Sequence, residues 1–249
     1  MLVALLQSDI IWGDPQANIS RIQNLLESSA RADLYVLPEM FSTGFNGVCE
    51  SEPAESLAWM KEMSSKYSCA FVGSIALEIS SKDGRSEKRN RLYFVKPGAD
   101  VCFYDKRHLF SYAGEHLSFT AGEDRVVVEW MGVRFLLLVC YDLRFPVWIR
   151  NHEDYDAMIC VASWPQSRRY PWDILLRARA IENQAFVIAV NRVGSDPSNV
   201  YNGGSVLLDP YGGVLAACED GKEGLLLADL DMTLLSAARE SFPVLKDRD

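Results

Sequence analysis

The chain alternates between short, uninterrupted apolar runs and segments in which apolar residues recur at helical spacing. The run at 34–37, closed by Pro38, predicts a buried strand because it is apolar nearly throughout and too short for a helix. A helical stripe of apolar residues predicts an amphipathic helix; it consists of Ile19, Ile22, Leu25 and Leu26. The same reasoning predicts strands at 2–7, 70–77, 157–162 and 185–191 and helices at about 54–67, 145–152 and 171–183.

Hairpins interrupt this alternation in the middle of the chain and return near its end. Turn sequences separate two pairs of apolar runs, 92–96 from 101–105 and 126–130 from 133–139. Another turn, at 210–213, joins two predicted strands. A strand at 224–230 and a short helix from Met232 follow. The charged stretch 82–91 predicts a solvated loop. The fold class is therefore expected to be α/β, with mixed sheets covered by helices. No Gly-, Pro- or Ser-rich linker is evident, so residues 1–249 are predicted to form one domain.

Charge and composition narrow the classes of partner. The chain has 25 Lys and Arg residues against 34 Asp and Glu residues, a formal net charge of -9 and a sequence pI of about 4.9. This balance argues against general affinity for nucleic acid or for an anionic membrane, since phosphate binding needs clustered cations. The apolar runs are too short for a membrane span, and the first residues lack the basic segment of a signal peptide. We expect a cytoplasmic protein with a small-molecule partner.

The six cysteines are scattered singly, which favours free thiols over disulfides, and the spacing of the cysteines and histidines predicts no metal site. Cys140 differs from the others because it follows the apolar run 134–139 and precedes a predicted helix start. Ligands of α/β sheets bind at that end of a strand, and helix amides stabilise a thiolate. Cys140 is thus a candidate nucleophile; the alternative is a cysteine that only packs in the core.

Three other residues have chemistry that could support a nucleophile. Glu39 ends a predicted strand among apolar neighbours that would raise its pKa, so it could act as a general base. Lys106 also ends a predicted strand, and its ammonium could stabilise an oxyanion. Glu115 could orient Lys106. The alternatives are a surface or salt-bridged glutamate and a solvated Lys-Arg pair.

Three motifs in this order carry a resemblance to a known family: Leu37-Pro-Glu39, Asp105-Lys-Arg-His-Leu-Phe110 and Val139-Cys-Tyr-Asp-Leu-Arg-Phe-Pro146. Together they resemble the Glu-Lys-Cys amidohydrolases of the nitrilase superfamily, over essentially the whole chain. The resemblance implies a four-layer αββα sandwich with two mixed sheets, an active site at the strand ends, no cofactor or metal, and usually a homodimer.

The resemblance also implies a role for each motif residue. Glu39 would be the general base, Cys140 the nucleophile and Lys106 the stabiliser of the tetrahedral intermediate. Glu115 matches the supporting glutamate of the family, and the backbone N–H of Tyr141 would complete the oxyanion hole. Attack by the thiolate on a carboxamide would release ammonia and leave a thioester, which water activated by Glu39 then hydrolyses.

Within the superfamily, the segments around Lys106, Glu115 and Cys140 resemble omega-amidases, which hydrolyse the terminal amide of 2-oxoglutaramate and 2-oxosuccinamate. Such a substrate carries a carboxylate, and arginine can bind a carboxylate with two hydrogen bonds. The candidate residues for the substrate pocket are the cations Arg107, Arg144 and Arg168 and the aromatic residues Phe41, Phe45, Tyr112 and Trp164.

Several alternatives stay open on the sequence alone. One is another amidase or a carbamoylase of the same superfamily, such as a deaminated-glutathione amidase. Another is a non-catalytic metabolite-binding protein that retains the fold. A Cys140–His108 pair is a further arrangement, disfavoured because the motifs assign the base to Glu39. The segment 111–122 is predicted to be a lid over the site, with Gly114 and Gly122 as hinges.

Overall fold

The computed structural model describes residues 1–45, 47–80, 84 and 86–248. The α-helices among these residues are α1 (Pro15–Glu27), α2 (Glu55–Tyr67), α3 (Pro146–Ile149), α4 (Arg169–Asn183) and α5 (Met232–Ser241). The strands are β1 (Leu2–Gln7), β2 (Leu34–Val36), β3 (Glu50–Ser51), β4 (Ala70–Ser80), β5 (Ser86–Val95), β6 (Cys102–Asp105), β7 (Val127–Trp130), β8 (Val133–Val139), β9 (Ala157–Ala162), β10 (Phe186–Asn191), β11 (Val193–Ser195), β12 (Val200–Asn202), β13 (Val206–Leu208), β14 (Val214–Ala217) and β15 (Gly224–Asp229).

The strands form two mixed sheets and a separate ribbon. In the first sheet the order is β15-β1-β2-β4-β5-β6, with β3 paired to β4, and in the second it is β14-β13-β10-β9-β8-β7. The central strands β1, β2 and β4 run parallel, as do β8, β9 and β10, while hairpin partners add antiparallel strands at the edges. Strands β11 and β12 form the ribbon. The carboxyl ends of β2 and β8 both lie beside the site described below.

The strands alternate their apolar residues between two buried faces. In β8, Leu137 packs in the core between the two sheets, whereas Leu138 faces the layer of α4. In β1, Leu5 likewise faces the central core and Leu6 faces α1 and α2. Burial on both faces explains why these strands are continuous apolar runs in the sequence. The result is the four-layer αββα sandwich that the motifs predicted.

Two local predictions were wrong. Of the stretch expected to be a solvated loop, residues 86–91 belong to β5, which pairs with β4 from Phe71↔Val95 to Ser80↔Ser86; residues 82, 83 and 85 lie outside the described residues. The hairpin extends beyond the apolar core, so its far end is polar although it is a strand. The helix expected at 145–152 is only the short α3, which ends before Arg150, whose ψ of 128° lies outside the helical region.

One element of the structure was not predicted from the sequence. The β11–β12 ribbon escaped prediction because its strands are three residues each and carry few apolar positions. Among the described residues, no helix is both long and apolar enough to cross a membrane.

Candidate active site

Glu39, Lys106 and Cys140 are brought together by the ends of three strands. Glu39 follows β2, Lys106 directly follows β6, and Cys140 directly follows β8. The first two strands belong to one sheet and the third to the other, so the residues meet where the two sheets face each other. All three line one cavity of about 470 Å³.

Lys106 is the centre of a buried ion-pair cluster. Its Nζ donates to Glu39 Oε1 at 2.9 Å and to Glu115 Oε1 and Oε2 at 3.0 and 2.9 Å. The Lys106 side chain is 1 % exposed and the Glu39 side chain 0 %. Because charges are costly to bury unless they are paired, this cluster is stable only while the ammonium and its carboxylates stay together.

Neutral donors complete the coordination of the two carboxylates. The backbone N–H of Ser163 donates to Glu39 Oε2 at 2.8 Å, and that of Phe110 donates to Glu115 Oε2 at 2.6 Å. Asn90 Nδ2 donates to Glu39 Oε1 at 2.8 Å and to Glu115 Oε1 at 3.3 Å. Three segments of the chain, at Asn90, at 106–110 and at Ser163, therefore fix the positions of the two glutamates.

Cys140 lies at a sharp turn between β8 and the 3-10 helix Cys140–Arg144. Its φ of 47° is in the left-handed region, which is strained for a residue with a side chain. Tyr141 is the second residue of that helix, and the first N–H groups of a helix have no carbonyl partner within it. The turn thus presents a thiol at the cavity together with N–H groups that can receive an oxyanion.

Asp142 secures this turn. Its fully buried carboxylate accepts from the backbone N–H of Val139 at 2.9 Å, from the backbone N–H of His108 at 2.9 Å and from Tyr104 OH at 2.8 Å. His108 Nδ1 lies 2.8 Å from Asp142 Oδ1, and the His108 ring stacks on Phe145. Cys140 lines the cavity and His108 is not among its lining residues, so the geometry gives no support to a Cys140–His108 pair.

The environment sets the protonation of the three side chains. Burial raises the pKa of the Glu39 carboxyl above its ordinary value, with Lys106 opposing the effect and Glu115 adding to it. Burial alone would lower the pKa of Lys106, but the carboxylates of Glu115 and Glu39 raise it well above its ordinary value. Desolvation and the Glu39 carboxylate raise the pKa of the Cys140 thiol, against the effect of Lys106. The arrangement offers a neutral thiol, a permanent ammonium and a carboxylate able to take up a proton.

Most of the residues predicted for the substrate pocket do line the cavity, namely Phe45, Tyr112, Arg144, Trp164 and Arg168. Two do not. Phe41 is fully buried in the core under α2, where its ring packs against Trp59. Arg107 points away from the cavity, since its guanidinium donates to Gly122 O at 3.0 Å and lies over the Trp148 ring. The structure therefore removes Phe41 and Arg107 from the set of candidate substrate contacts.

The cavity wall also contains residues that sequence reasoning missed. The β11–β12 ribbon contributes Asp196 and Tyr201, whose hydroxyl donates to Asp196 Oδ2 at 2.6 Å, and the segment after β1 contributes Trp12. The turn sequence Asp196-Pro-Ser-Asn199 is the one signal that could have indicated this hairpin. Within the described part of the chain, no cluster of three or more His, Cys, Asp or Glu side chains could hold a metal ion.

The segment predicted to be a lid lies at the cavity mouth. It contains two short 3-10 helices, Ser111–Ala113 and Glu115–Leu117, and its Tyr112 and Leu117 side chains are exposed. Gly122 is fixed by a hydrogen bond from its N–H to Lys106 O at 3.0 Å and by close approach to Asp105, which leaves no room for a Cβ. The segment is therefore anchored at Glu115, near its middle, and at Gly122, its last residue.

Comparison with known proteins agrees with this geometry. A family model described as carbon-nitrogen hydrolase matches residues 2–240. The chain is 46% identical over 251 residues to an omega-amidase YafV of Yersinia enterocolitica, covering 99% of this chain and 96% of the relative. It is 38% identical over 256 residues to a 2-oxoglutaramate amidase of Bacillus subtilis strain 168, covering 98% and 96%.

A solved structure gives the same result. XC1258 of Xanthomonas campestris, described as a CN-hydrolase superfamily protein with an arsenic adduct in its active site, superposes with a TM-score of 0.94 at 37% identity. The match covers 100% of this chain and 97% of that one. The resemblance in the sequence motifs is thereby confirmed, and the chain belongs to the carbon-nitrogen hydrolase family of enzymes.

Proposed function

We propose that the protein is an amidase that hydrolyses the terminal carboxamide of a small 2-oxo dicarboxylate monoamide, such as 2-oxoglutaramate or 2-oxosuccinamate, to the acid and ammonia. The observation that carries the proposal is the meeting of Glu39, Lys106 and Cys140 in one cavity. The names of two relatives, omega-amidase and 2-oxoglutaramate amidase, support the choice of substrate.

In the first half of the reaction, Glu39 accepts the proton of Cys140 as the sulfur attacks the amide carbon. The oxygen of the resulting tetrahedral adduct becomes negative and is received by the Lys106 ammonium and the Tyr141 N–H. Glu39 then passes its proton to the amide nitrogen, the C–N bond breaks, and ammonia departs. The acyl group remains on Cys140 as a thioester. Glu115 keeps Lys106 in place throughout, through its two hydrogen bonds.

In the second half, Glu39 accepts a proton from water as the water oxygen attacks the thioester carbon. The second tetrahedral adduct uses the same oxyanion site. It collapses with cleavage of the C–S bond, and the proton held on Glu39 returns to the sulfur of Cys140. The acid product then leaves, and the cycle uses no group besides water and the side chains described.

The substrate carboxylate has two suitable partners at the cavity. Arg144 lies over the Trp164 ring at 5.0 Å, and Arg168 lies over the rings of Phe110 and Tyr112. Among the residues that the structure describes, neither guanidinium forms a salt bridge, unlike the buried Arg91 and Arg192. An arginine held by aromatic rings and not paired to a carboxylate is well suited to bind one from the substrate.

The size of the cavity does not distinguish the proposed substrate from related amides. A volume of about 470 Å³ also accommodates a longer amide or a carbamoyl compound. The non-catalytic alternative is disfavoured by the complete hydrogen-bonded cluster, since a binding protein has no need to bury two carboxylates and an ammonium beside a thiol.

The decisive experiment measures ammonia released from 2-oxoglutaramate, beside glutamine, a carbamoyl amino acid and a nitrile. We expect turnover of the oxo-amide that is abolished in Cys140→Ala and retained in Cys69→Ala, a matched change at a buried cysteine of the first sheet's outer core. Turnover of another compound in the panel would mean that the substrate assignment is wrong and that the proposed mechanism still applies. Turnover of none of them would reject the proposed function.

Three further expectations stay predictions: a single domain over residues 1–249, a cytoplasmic location and a homodimer. Exposed apolar side chains on α4, Tyr170, Ile174 and Ile181, support the homodimer because exposed apolar surface is typical of subunit contacts. Light scattering on the purified protein would test it.

A further inference from the structure

Asn90 is a buried amide that joins the two glutamates of the site. It lies on β5, is 1 % exposed, and its backbone carbonyl oxygen accepts from the backbone N–H of Lys106 at 3.0 Å. The side-chain Nδ2 reaches Glu39 Oε1 at 2.8 Å and Glu115 Oε1 at 3.3 Å. The one amide nitrogen is therefore within hydrogen-bond distance of both carboxylates.

The surroundings fix the orientation of the Asn90 amide. If the amide were turned over, its oxygen would face two carboxylate oxygens and both contacts would become repulsive. In the observed orientation the side-chain Oδ1 is buried without a hydrogen-bond partner. A buried acceptor without a partner costs free energy, so the contacts of Nδ2 with the carboxylates must outweigh that cost.

The cluster has an excess of negative charge that the amide can offset. The titratable groups facing Glu39 are Lys106 from the end of β6, Glu115 from the segment after it, and Cys140 from the end of β8. Asp196, Arg144 and Arg168 lie further out on the cavity wall. With one ammonium for two carboxylates, the negative charge of Glu115 raises the pKa of Glu39 and so favours its protonated form. A neutral donor stabilises both ionised forms without adding a charge.

We propose that Asn90 is a positioning residue that keeps Glu39 and Glu115 ionised together by donating from its side-chain amide nitrogen to both. This inference rests on the proposed function, in which Glu39 must be ionised to accept the thiol proton. Without Asn90 the Glu39 carboxyl keeps its proton to higher pH, and the base is lost over part of the working range.

The test replaces Asn90 by Leu, which conserves volume and removes both donors. We expect the acid limb of the kcat/KM–pH profile to move up by about one pH unit, because hydrogen bonds to a carboxylate lower its pKa. Asn90→Ser retains one donor and is expected to move the limb less. Asn183→Leu makes the same change at a fully buried amide of α4 and is expected to leave the limb unchanged.

A second readout is independent of turnover. In protein labelled with carbon-13 at the glutamate carboxyl, the Glu39 resonance, assigned with Glu39→Gln, reports its titration directly; its midpoint must rise in Asn90→Leu. A uniform fall in kcat/KM at every pH, with an unchanged midpoint, would mean that Asn90 only supports the fold and would overturn the inference. If Asn90→Leu does not fold, an unchanged midpoint in Asn90→Ser overturns it equally. If the wild-type protein turns over no oxo-amide, the titration still decides the role of Asn90 while the proposed function fails.

Discussion

Lys106 is bound by Glu115 through both carboxylate oxygens, at 3.0 and 2.9 Å, whereas Glu39 binds it through one oxygen. This asymmetry separates two tasks. Glu115 is the two-oxygen partner that holds the ammonium in place when Glu39 takes up a proton. Glu39 can therefore cycle between its two protonation states without releasing Lys106.

The first prediction concerns Glu115→Gln. The variant leaves Lys106 with Glu39 as its sole carboxylate partner, which pulls the ammonium toward the base and away from the oxyanion. We expect kcat to fall about 100-fold, since small displacements of a positioned group have effects of that size. KM should change little because Glu115 supports the reacting groups behind the substrate. Steady-state kinetics on the oxo-amide would measure both values.

The control for this variant is Glu123→Gln, a change of the same chemistry at an exposed glutamate in the same part of the chain. Its kcat should equal that of the wild type. A Glu115→Gln variant with a wild-type kcat would contradict the assigned division between the two glutamates.

The second prediction is the pH dependence of the reaction. Glu39 must be deprotonated to accept the thiol proton, and burial raises the pKa of its carboxyl above 4.5. As pH falls through that raised pKa, kcat/KM must decrease, so the acid limb is expected above pH 4.5. Because the pKa of Lys106 is raised as well, its ammonium persists in alkaline solution and does not limit activity there. An acid limb at or below 4.5 in the kcat/KM profile would refute this account.

The sequence predicted the reacting groups because each occupies a strand end. Glu39, Lys106 and Cys140 follow short apolar runs, and the ends of neighbouring strands converge at one edge of a sheet. That reasoning needs only local patterns. The family resemblance then supplied the role of each residue and the layer order, which periodicity alone leaves open.

The side chains around the reacting groups could not be predicted in this way. Phe41 and Phe45 both lie in the segment after Glu39, yet Phe41 packs under α2 and Phe45 lines the cavity. No periodicity operates in an irregular segment, so the direction of each ring depends on tertiary packing. Asn90 was hidden because it lies in the charged stretch 82–91, which looked like a loop, and its burial depends on the hairpin with β4.

The third prediction addresses the substrate carboxylate. Arg144→Met and Arg168→Met remove cavity cations while keeping an apolar stem of similar length. We expect at least one of them to raise KM for 2-oxoglutaramate by about 10- to 100-fold, the effect of losing a hydrogen-bonded charge pair of about 1.5–3 kcal/mol. With a neutral amide that lacks the carboxylate, the same variant should match the wild type.

Arg107→Met is the matched control, since Arg107 points away from the cavity. It should leave KM unchanged. If neither Arg144→Met nor Arg168→Met altered KM, the carboxylate would have to be bound by other groups, and the proposal of an anionic substrate would lose its structural support.

The fourth prediction concerns stability at the turn that carries Cys140. Asp142→Ala leaves the buried donors of Val139, His108 and Tyr104 without their acceptor. We expect the free energy of unfolding in urea to fall by about 3 kcal/mol or more, because each stranded buried donor costs about 1–3 kcal/mol. Asp173→Ala, which breaks only a part-exposed salt bridge to Arg169, should cost less than about 1 kcal/mol. Equal losses in the two variants would mean that Asp142 does not hold the turn.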